Sequence, residues 1–238
     1  MNLGRALWLL NISLELAVLA LLIWRRAYQG YRTFFLYCLL GTAQSLTLLL
    51  LVGRYKPYLW TYWTTEIAGL ILLGAVLLDL FERLLPSDSG YRASGRFIFY
   101  LMCFLAVGIA IFSVPAEVGS GIGPVNKIGL RAEEGFIIIH AVLVAFIVLY
   151  TAVLRPPWST WALWIFIGIC FVVATELLVI DRFLHLGVAR FRLYSWTKGL
   201  SYTAVFLAWL WGFRQEQEAP SLPGEFAEIE AALTEVSR

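Results

Sequence analysis

Residues 158–180 read WSTWALWIFIGICFVVATELLVI and contain one ionisable side chain, that of Glu176. At about 1.5 Å per residue, a helix of this length extends about 35 Å. The hydrocarbon core of a bilayer is about 30 Å thick, so this stretch is long enough to cross it. Six further stretches are similarly long and apolar, and the seven predicted spans are residues 6–24, 33–53, 58–84, 96–114, 132–154, 158–180 and 193–213. The sequence therefore predicts an all-α, polytopic integral membrane protein with seven transmembrane helices.

The composition of the whole chain favours a lipid environment. Of 238 residues, 61% are hydrophobic and 14% are charged, whereas about 25% of the residues of a soluble domain are charged. The three cysteines, Cys38, Cys103 and Cys170, fall inside predicted spans and lack metal-ligand spacing. This pattern favours small buried apolar groups over disulfides or a metal site. We therefore expect residues 1–214 to form a transmembrane domain in the lipid bilayer.

The composition changes after residue 214. Residues 215–238 form an acidic tail in which five apolar residues recur at spacings of four and three: Leu222, Phe226, Ile229, Leu233 and Val236. This spacing predicts a short amphipathic helix over residues 222–236. Because anionic lipid would repel its acidic face, we expect it to fold back under the bundle or to dock on a protein partner. The sequence lacks a basic tract of the kind that binds nucleic acid.

Basic residues that flank the first span indicate the topology. One basic residue, Arg5, precedes this span, and three follow it, Arg25, Arg26 and Arg32. Basic residues are enriched in cytoplasmic flanks, and the first helix usually dominates the orientation. The sequence therefore predicts a multi-pass protein of the cell membrane with its N-terminus outside and its C-terminus in the cytoplasm.

The second and third spans are similar in sequence to the sixth and seventh. When Thr33 is aligned with Thr160, the second and sixth spans match without a gap and Gly41 lies over Gly168. With a short insertion in the sixth loop, the Trp-Thr pairs at positions 63 and 196 also align. Internal repeats are frequent in membrane proteins. The sequence thus permits a parallel three-plus-one-plus-three repeat in which the third and seventh spans hold equivalent places.

Four ionisable residues lie at a similar calculated depth in four different spans: Glu66, His140, Glu176 and Lys198. A charged group at membrane depth costs about 2.5 to 3.5 kcal/mol on insertion scales and usually faces a partner or a water-filled cavity. The depths therefore predict one shared layer, in which Glu66 opposes Lys198 and Glu176 is a second partner of Lys198. This layer is either a polar pocket, which binds a small polar ligand or passes a proton, or a structural cluster of ion pairs that fixes helix packing.

Glu15, near the middle of the first span, is a further candidate for the site. Asn11 lies four residues before it, on the same face of the helix. The second span carries polar residues at a comparable depth: Thr42, Gln44, Ser45 and Thr47. We expect Glu15 to meet this polar patch, either as a neutral, hydrogen-bonded carboxyl in a packing contact or as a proton-relay group.

The predicted layout resembles two families of seven-helix membrane proteins. A three-plus-one-plus-three arrangement with an outside N-terminus is similar to that of the PQ-loop and sugar-efflux transporters, although the sequence has no Pro-Gln pair. The microbial rhodopsins have the same number of helices. Their resemblance implies that Lys198 would be the Schiff-base amine for retinal and that Glu66, in WTTE, would be its counter-ion. The residue four positions before Lys198 is Tyr194, where that family carries an acid.

A third resemblance concerns two short stretches of the chain. YRTFFLYCLL at residues 31–40 and YWTTEIAGLILL at residues 62–73 are similar to segments of small, uncharacterised bacterial seven-helix membrane proteins. This resemblance implies a seven-helix fold and no particular activity.

Signatures of catalysis are absent from the sequence. It contains no HExxH or GxSxG motif, and the GSGIG stretch in the longest predicted connection, residues 116–134, is not followed by the Lys-Ser or Lys-Thr of a phosphate loop. An enzyme is therefore not favoured, although Glu66 or His140 would be a candidate general base. Apart from the retinal option, we expect no cofactor.

Three functional hypotheses follow from these patterns. The first is a receptor-like or sensing membrane protein that binds a small polar ligand in the outer half of the membrane. The second is a small proton-coupled transporter that uses Glu66 and Glu15 as successive carriers. The third is a structural or accessory membrane subunit without a ligand.

Overall fold

The computed structural model describes residues 3–85, 89–113, 124–186 and 191–216, and within these ranges all regular structure is helical. The helices are α1 (Leu3–Trp24), α2 (Ala27–Gly30), α3 (Arg32–Leu50), α4 (Tyr55–Leu84), α5 (Ser89–Ser113), α6 (Pro124–Leu154), α7 (Thr160–Leu186) and α8 (Phe191–Arg214). Because α2 is a single turn of four residues, the seven long helices correspond in order to the seven predicted spans. The predicted all-α class is confirmed.

Short connections join several of these helices. After α3 ends at Leu50, Gly53 adopts a φ of 94°, a left-handed conformation that glycine adopts without steric cost. After α6, the chain continues through Pro156 and Pro157, which lack the backbone N–H needed to extend a helix. These turns reverse the chain, so α3 and α4, and likewise α6 and α7, pack as antiparallel neighbours.

Six of the long helices form a closed ring. Around the ring, α1 contacts α3, α3 contacts α4, α4 contacts α6, α6 contacts α7, α7 contacts α8, and α8 returns to α1. The remaining long helix, α5, packs outside the ring against α6 and α4. We call the end of the ring where α4 begins the Tyr55 end, and the opposite end, where α8 finishes, the Arg214 end.

The chain order of the helices around the ring is compatible with the predicted three-plus-one-plus-three repeat. In such a repeat α1 would correspond to α6, α3 to α7 and α4 to α8, with α5 as the joining helix. The repeat stays a prediction, because a half-turn maps neighbours onto neighbours in any ring of six. The two aligned glycines have different surroundings, because a Cβ at Gly168 would overlap the indole of Trp209, whereas a Cβ at Gly41 would meet nothing within 4 Å.

The outer surface of the bundle is strongly apolar. Large hydrophobic side chains are exposed along α5, including Phe104 (75% exposed) and Phe112 (91%), and similar residues are exposed along the other long helices. Five helical segments are long and apolar enough to cross a membrane: Arg5–Trp24, Arg32–Leu50, Arg92–Ser113, Val125–Leu154 and Thr160–Val179. Soluble monomers rarely expose apolar patches of this extent, so the bundle has the features of a membrane protein.

The Arg214 end of the ring is filled by packed aromatic side chains. Phe34 of α3 contacts Trp209 edge to face at a centroid distance of 4.8 Å and Phe213 at 5.8 Å. Trp161 of α7 also contacts Phe213, at 5.6 Å. Each of these residues is buried. Since protein cores pack at close to crystalline density, this aromatic layer closes the ring at the Arg214 end.

Three boundary predictions are corrected by the structure. Helix α5 begins at Ser89, seven positions before the predicted start at residue 96. Helix α6 begins at Pro124 instead of residue 132, so the second half of the predicted loop over residues 116–134 is helical. Helix α7 continues to Leu186, six positions beyond the predicted end at residue 180. The predicted amphipathic helix over residues 222–236, and most of the acidic tail, lie outside the described residues.

Candidate functional site

The ring encloses a cavity of about 770 Å³, and all six ring helices contribute to its wall. Tyr55 lines the cavity and is 71% exposed, so the cavity opens at the Tyr55 end. On the other side, the lining includes Val18, Leu73 and Phe206. Beyond these residues lies the buried aromatic layer of the Arg214 end. The cavity is therefore a pocket that is open at the Tyr55 end and extends through about half the depth of the bundle.

A cluster of four ionisable side chains lies in the cavity wall, with Lys198 of α8 at its centre. The ammonium Nζ of Lys198 donates to a carboxylate oxygen of Glu133 at 2.8 Å and of Glu66 at 3.1 Å. An oxygen of Glu176 lies 3.5 Å from the same Nζ. We call these four residues the Lys198 cluster. They come from α8, α6, α4 and α7, so the cluster links four of the six ring helices.

Burial and additional hydrogen bonds hold this cluster in place. The side chain of Lys198 is 16% exposed and that of Glu133 only 2%. Tyr202, one helical turn after Lys198 on α8, donates its hydroxyl to Glu176 at 2.9 Å. Removing an ion pair from water is costly, and the carboxylate oxygens of three residues within 3.5 Å of Lys198 Nζ offset part of this cost.

A second polar group lines the cavity on α1 and α3. Gln44 donates its amide to Glu66 at 3.1 Å, and its neighbour Ser45 donates its hydroxyl to Glu15 at 3.2 Å. Two consecutive residues of α3 therefore connect the Lys198 cluster with Glu15. The second carboxyl oxygen of Glu15 is buried and has no hydrogen-bond partner among the described residues. Since an unsatisfied buried polar atom is costly, this oxygen is a candidate contact for a bound molecule.

Asn11 joins α1 to α8 beside this second group. Its amide donates to the backbone oxygen of Gly199 at 3.0 Å, and its side-chain oxygen accepts from the hydroxyl of Thr203 at 2.7 Å. Asn11 and Glu15 both line the cavity, as expected for residues four positions apart on a helix. The hydrogen bonds of Asn11 fix the rotation of α1 and direct Glu15 inward.

The structure brings together most of the predicted site residues. Glu66, Glu176 and Lys198 meet, and the predicted ion pair between Glu66 and Lys198 is confirmed at 3.1 Å. Glu15 meets the polar patch of the second span through Ser45, as predicted. Their role in ligand binding or proton transfer stays a prediction.

His140 is a correction to the predicted layer. It is buried, lies beside the backbone of Leu70 and faces Gly74, where its Nε2 would be 3.7 Å from an added Cβ. It is not among the residues that line the cavity. The depth of His140 was misjudged because it was counted from residue 132, whereas α6 begins at Pro124. His140 follows Glu133 by seven residues and therefore lies about two helical turns deeper in the bundle.

Glu133 is the site residue that the sequence analysis missed. It fell in the overlap of the predicted connection over residues 116–134 and the predicted span over residues 132–154 and was not considered as a site residue, whereas the structure places it well inside α6. Asn126, Gly129 and Glu133 follow at spacings of three and four, which puts them on one helix face. Asn126 accepts a 2.9 Å hydrogen bond from the indole of Trp63, and Gly129 packs directly under that indole. A helical reading of residues 124–134 would have revealed this face and the inward direction of Glu133.

The remaining chemistry of the site is limited. In the ranges that the structure describes, no group of three or more histidine, cysteine, aspartate or glutamate side chains is arranged to hold a metal ion. The cavity wall instead offers carboxyl groups, one ammonium, amide and hydroxyl groups, and aromatic rings. Such a wall can bind a molecule by charge, hydrogen bonds and ring contacts.

Comparison of the chain with protein-family models, curated proteins and solved structures finds no match. The cavity and its polar lining are therefore the observations that bear on function.

Proposed function

We propose that this chain is a receptor-like or sensing membrane protein that binds a small polar ligand in the cavity enclosed by its helix ring. The observation that carries this proposal is the position of the Lys198 cluster, which lies in the wall of an open cavity of about 770 Å³. Ligand pockets typically have volumes of about 300 to 1,000 Å³ and combine apolar walls with a few well-placed polar groups. The cavity has both features.

The size of the cavity argues against a purely structural cluster. Ion pairs that only fix helix packing are compatible with a close-packed interior, which leaves few voids larger than a water molecule. Here Glu66, Glu176 and Lys198 line a space large enough for a small organic molecule. A cluster that serves only to fix helix packing does not require a cavity of this size.

The closed Arg214 end supports a sensor over a channel-like path. Next to the cavity floor, Leu22, Leu77 and Phe34 are almost completely buried, and the aromatic layer follows. A sensor needs access from one side only. Helix α8 carries Lys198 in the cavity wall and leads at Arg214 into the acidic tail, so a ligand that displaces Lys198 would act on the element that precedes the tail. In this proposal the tail transmits the ligand-binding event to a protein partner.

All seven long helices span the membrane in this proposal. In addition to the five apolar segments, α4 and α8 also cross the membrane. They carry Glu66 and Lys198 and direct these charges toward the cavity. Charged residues in spanning helices usually face a partner or a water-filled space. With the N-terminus outside, the Tyr55 end and the mouth of the cavity face the exterior.

One observation favours a second candidate, a small proton-coupled transporter. Glu15 and Glu66 accept hydrogen bonds from the consecutive residues Ser45 and Gln44, which would suit two successive proton carriers. Transport would also require a path through the Arg214 end. The packed contact between Phe34 and Trp209 closes that path in this conformation.

Native mass spectrometry of the protein in mild detergent, with an absorption spectrum of the same sample, tests the proposal. We expect a discrete bound small molecule whose occupancy changes in the Lys198→Met variant. Glu82→Gln is a matched control, because Glu82 pairs with Arg96 outside the cavity and its variant should retain the ligand. A visible absorption band together with the mass of retinal would identify retinal.

Two other results would redirect the interpretation. Protein that carries only lipid would contradict the receptor proposal and favour a structural subunit. Proton flux into liposomes that is lost in Glu15→Gln would favour the transporter.

A further inference from the structure

We infer that the ligand of this cavity is an organic cation, such as a primary or quaternary ammonium compound with an apolar body. This inference rests on the proposed function, since it assigns a chemical class to the ligand of the same cavity. It is carried by three features of the wall: its charge, an unpartnered carboxyl oxygen and its aromatic rings.

Carboxyl groups outnumber amino groups in the wall. Among the lining residues described, the carboxyl and amino side chains belong to four glutamates and one lysine: Glu15, Glu66, Glu133, Glu176 and Lys198. The single ammonium already has carboxylate oxygens of Glu133 and Glu66 within hydrogen-bond distance. An anionic ligand would have to displace these carboxylates from Lys198 and would be repelled by them. A cationic ligand would instead be attracted by these carboxylates.

The structure itself shows that this wall holds an ammonium group. Nζ of Lys198 lies 2.8 Å from Glu133, 3.1 Å from Glu66 and 3.5 Å from Glu176. The bound ligand would be a second cation in the same cavity. Its partner is Glu15, whose Oε2 is buried without a hydrogen-bond partner among the described residues, while its Oε1 accepts from Ser45.

Aromatic rings from α1, α3, α4 and α8 also line the cavity. The lining includes Trp8, Tyr37, Tyr58, Tyr62, Trp63 and Tyr202. The negative faces of such rings attract cations, and aromatic cages are a recurrent device for binding quaternary ammonium groups. The rings also cover the apolar body of an organic cation, which excludes inorganic ions as the best fit for a cavity of about 770 Å³.

Three probes of similar size and different charge test this inference on the full chain in mild detergent. They are 2-phenylethylammonium, the neutral 2-phenylethanol and the anion 3-phenylpropanoate. We expect the cation to raise the unfolding temperature by about 3 °C when present at about ten times its Kd. Its affinity should exceed that of the alcohol about tenfold, as for one favourable charged contact.

Variants of Glu15 test whether its carboxylate is the contact of the bound cation. Glu15→Gln keeps an oxygen for Ser45 but removes the charge, so we expect it to fold and to lose the preference for the cation. Glu15→Asp should restore the preference, which distinguishes a charge effect from a fold defect. Glu82→Gln, at the ion pair outside the cavity, should bind like the unmodified protein.

The outcomes separate this inference from the proposed function. If the anion or the alcohol binds as well as the cation, and binding still depends on Lys198, the cavity is a ligand site and the inferred charge class is wrong. If the cation binds equally well to the Glu15→Gln variant, the inference is also wrong. If none of the three probes shifts the unfolding temperature at about 10 mM, about ten times a weak Kd of 1 mM, the cationic class is overturned. Native mass spectrometry then decides the proposed function separately.

Discussion

Removal of Lys198 tests whether its cluster acts as one coupled unit. In Lys198→Met, the carboxyl groups of Glu66, Glu133 and Glu176 would remain together without the ammonium that they share. Removing one partner of a buried ion pair typically costs about 3 to 5 kcal/mol of unfolding free energy. Since the side chain of Lys198 is 16% exposed, we expect a loss within this range.

Glu66→Gln should cost less. The amide oxygen of glutamine still accepts a hydrogen bond, and Lys198 retains its contact with Glu133 at 2.8 Å. The expected loss is about 1.5 to 3 kcal/mol, the usual contribution of a hydrogen bond to a charged group. In the Lys198→Met background, the same change removes one of the carboxyl groups that have lost their counter-charge, so it should cost little or nothing. The double variant should therefore lose about 1 to 3 kcal/mol less than the sum of the single losses.

The assay is a double-mutant cycle of unfolding free energies. Each variant is unfolded by titrating SDS into mild-detergent micelles, and the transition is followed by circular dichroism. Glu82→Gln with Arg96→Met is the matched control, because this ion pair lies outside the cavity and Arg96 is half-exposed, so its coupling should be smaller. Losses that add within about 0.5 kcal/mol for Glu66 and Lys198 would refute the coupling.

Three further predictions concern single positions. Glu133→Gln should lower the unfolding free energy by about 1 to 3 kcal/mol, because Glu133 is almost fully buried against Lys198; an unchanged SDS transition would contradict its place in the cluster. Gly168→Ala should cost about 1 to 3 kcal/mol, since its Cβ would overlap a buried indole. The aligned Gly41→Ala should be neutral or stabilising by up to about 1 kcal/mol, and equal effects on the SDS transition would contradict the packing difference. In intact cells, a membrane-impermeant maleimide should label Lys56→Cys but label Arg92→Cys only after permeabilisation, and the reverse pattern would overturn the proposed orientation.

Several features of the site could be predicted from residue types and helical spacing. Glu66, Glu176 and Lys198 are charged residues in otherwise apolar segments, and the cost of exposing them to lipid requires partners. Their depths, counted along each helix, predicted the contact between Glu66 and Lys198. Asn11 and Glu15 share a face because they are one helical turn apart.

The errors arose where a helix extends beyond its apolar segment. Residues 124–131 contain Asn126, Lys127 and Arg131, so hydropathy alone placed the start of α6 too late. This error placed Glu133 at the edge of the predicted span and His140 in the wrong layer. The polar first turns of α6 are stabilised by packing on α4, through the contact of Trp63 with Asn126 and Gly129. That contact cannot be predicted from the amino-acid composition of residues 124–131 alone.

The sequence by itself determined the helical class, the order of the seven long helices and the apolar outer surface. These properties depend on the composition and length of each segment, because every backbone polar group in a lipid-exposed helix is satisfied within that segment. Only the tertiary structure decided which charges meet and how much space remains between them. Glu66 and Lys198 are 132 positions apart, and their contact depends on how α4 and α8 are rotated in the closed ring. The cavity of about 770 Å³ likewise depends on the packing of six helices together, a property that no single segment encodes.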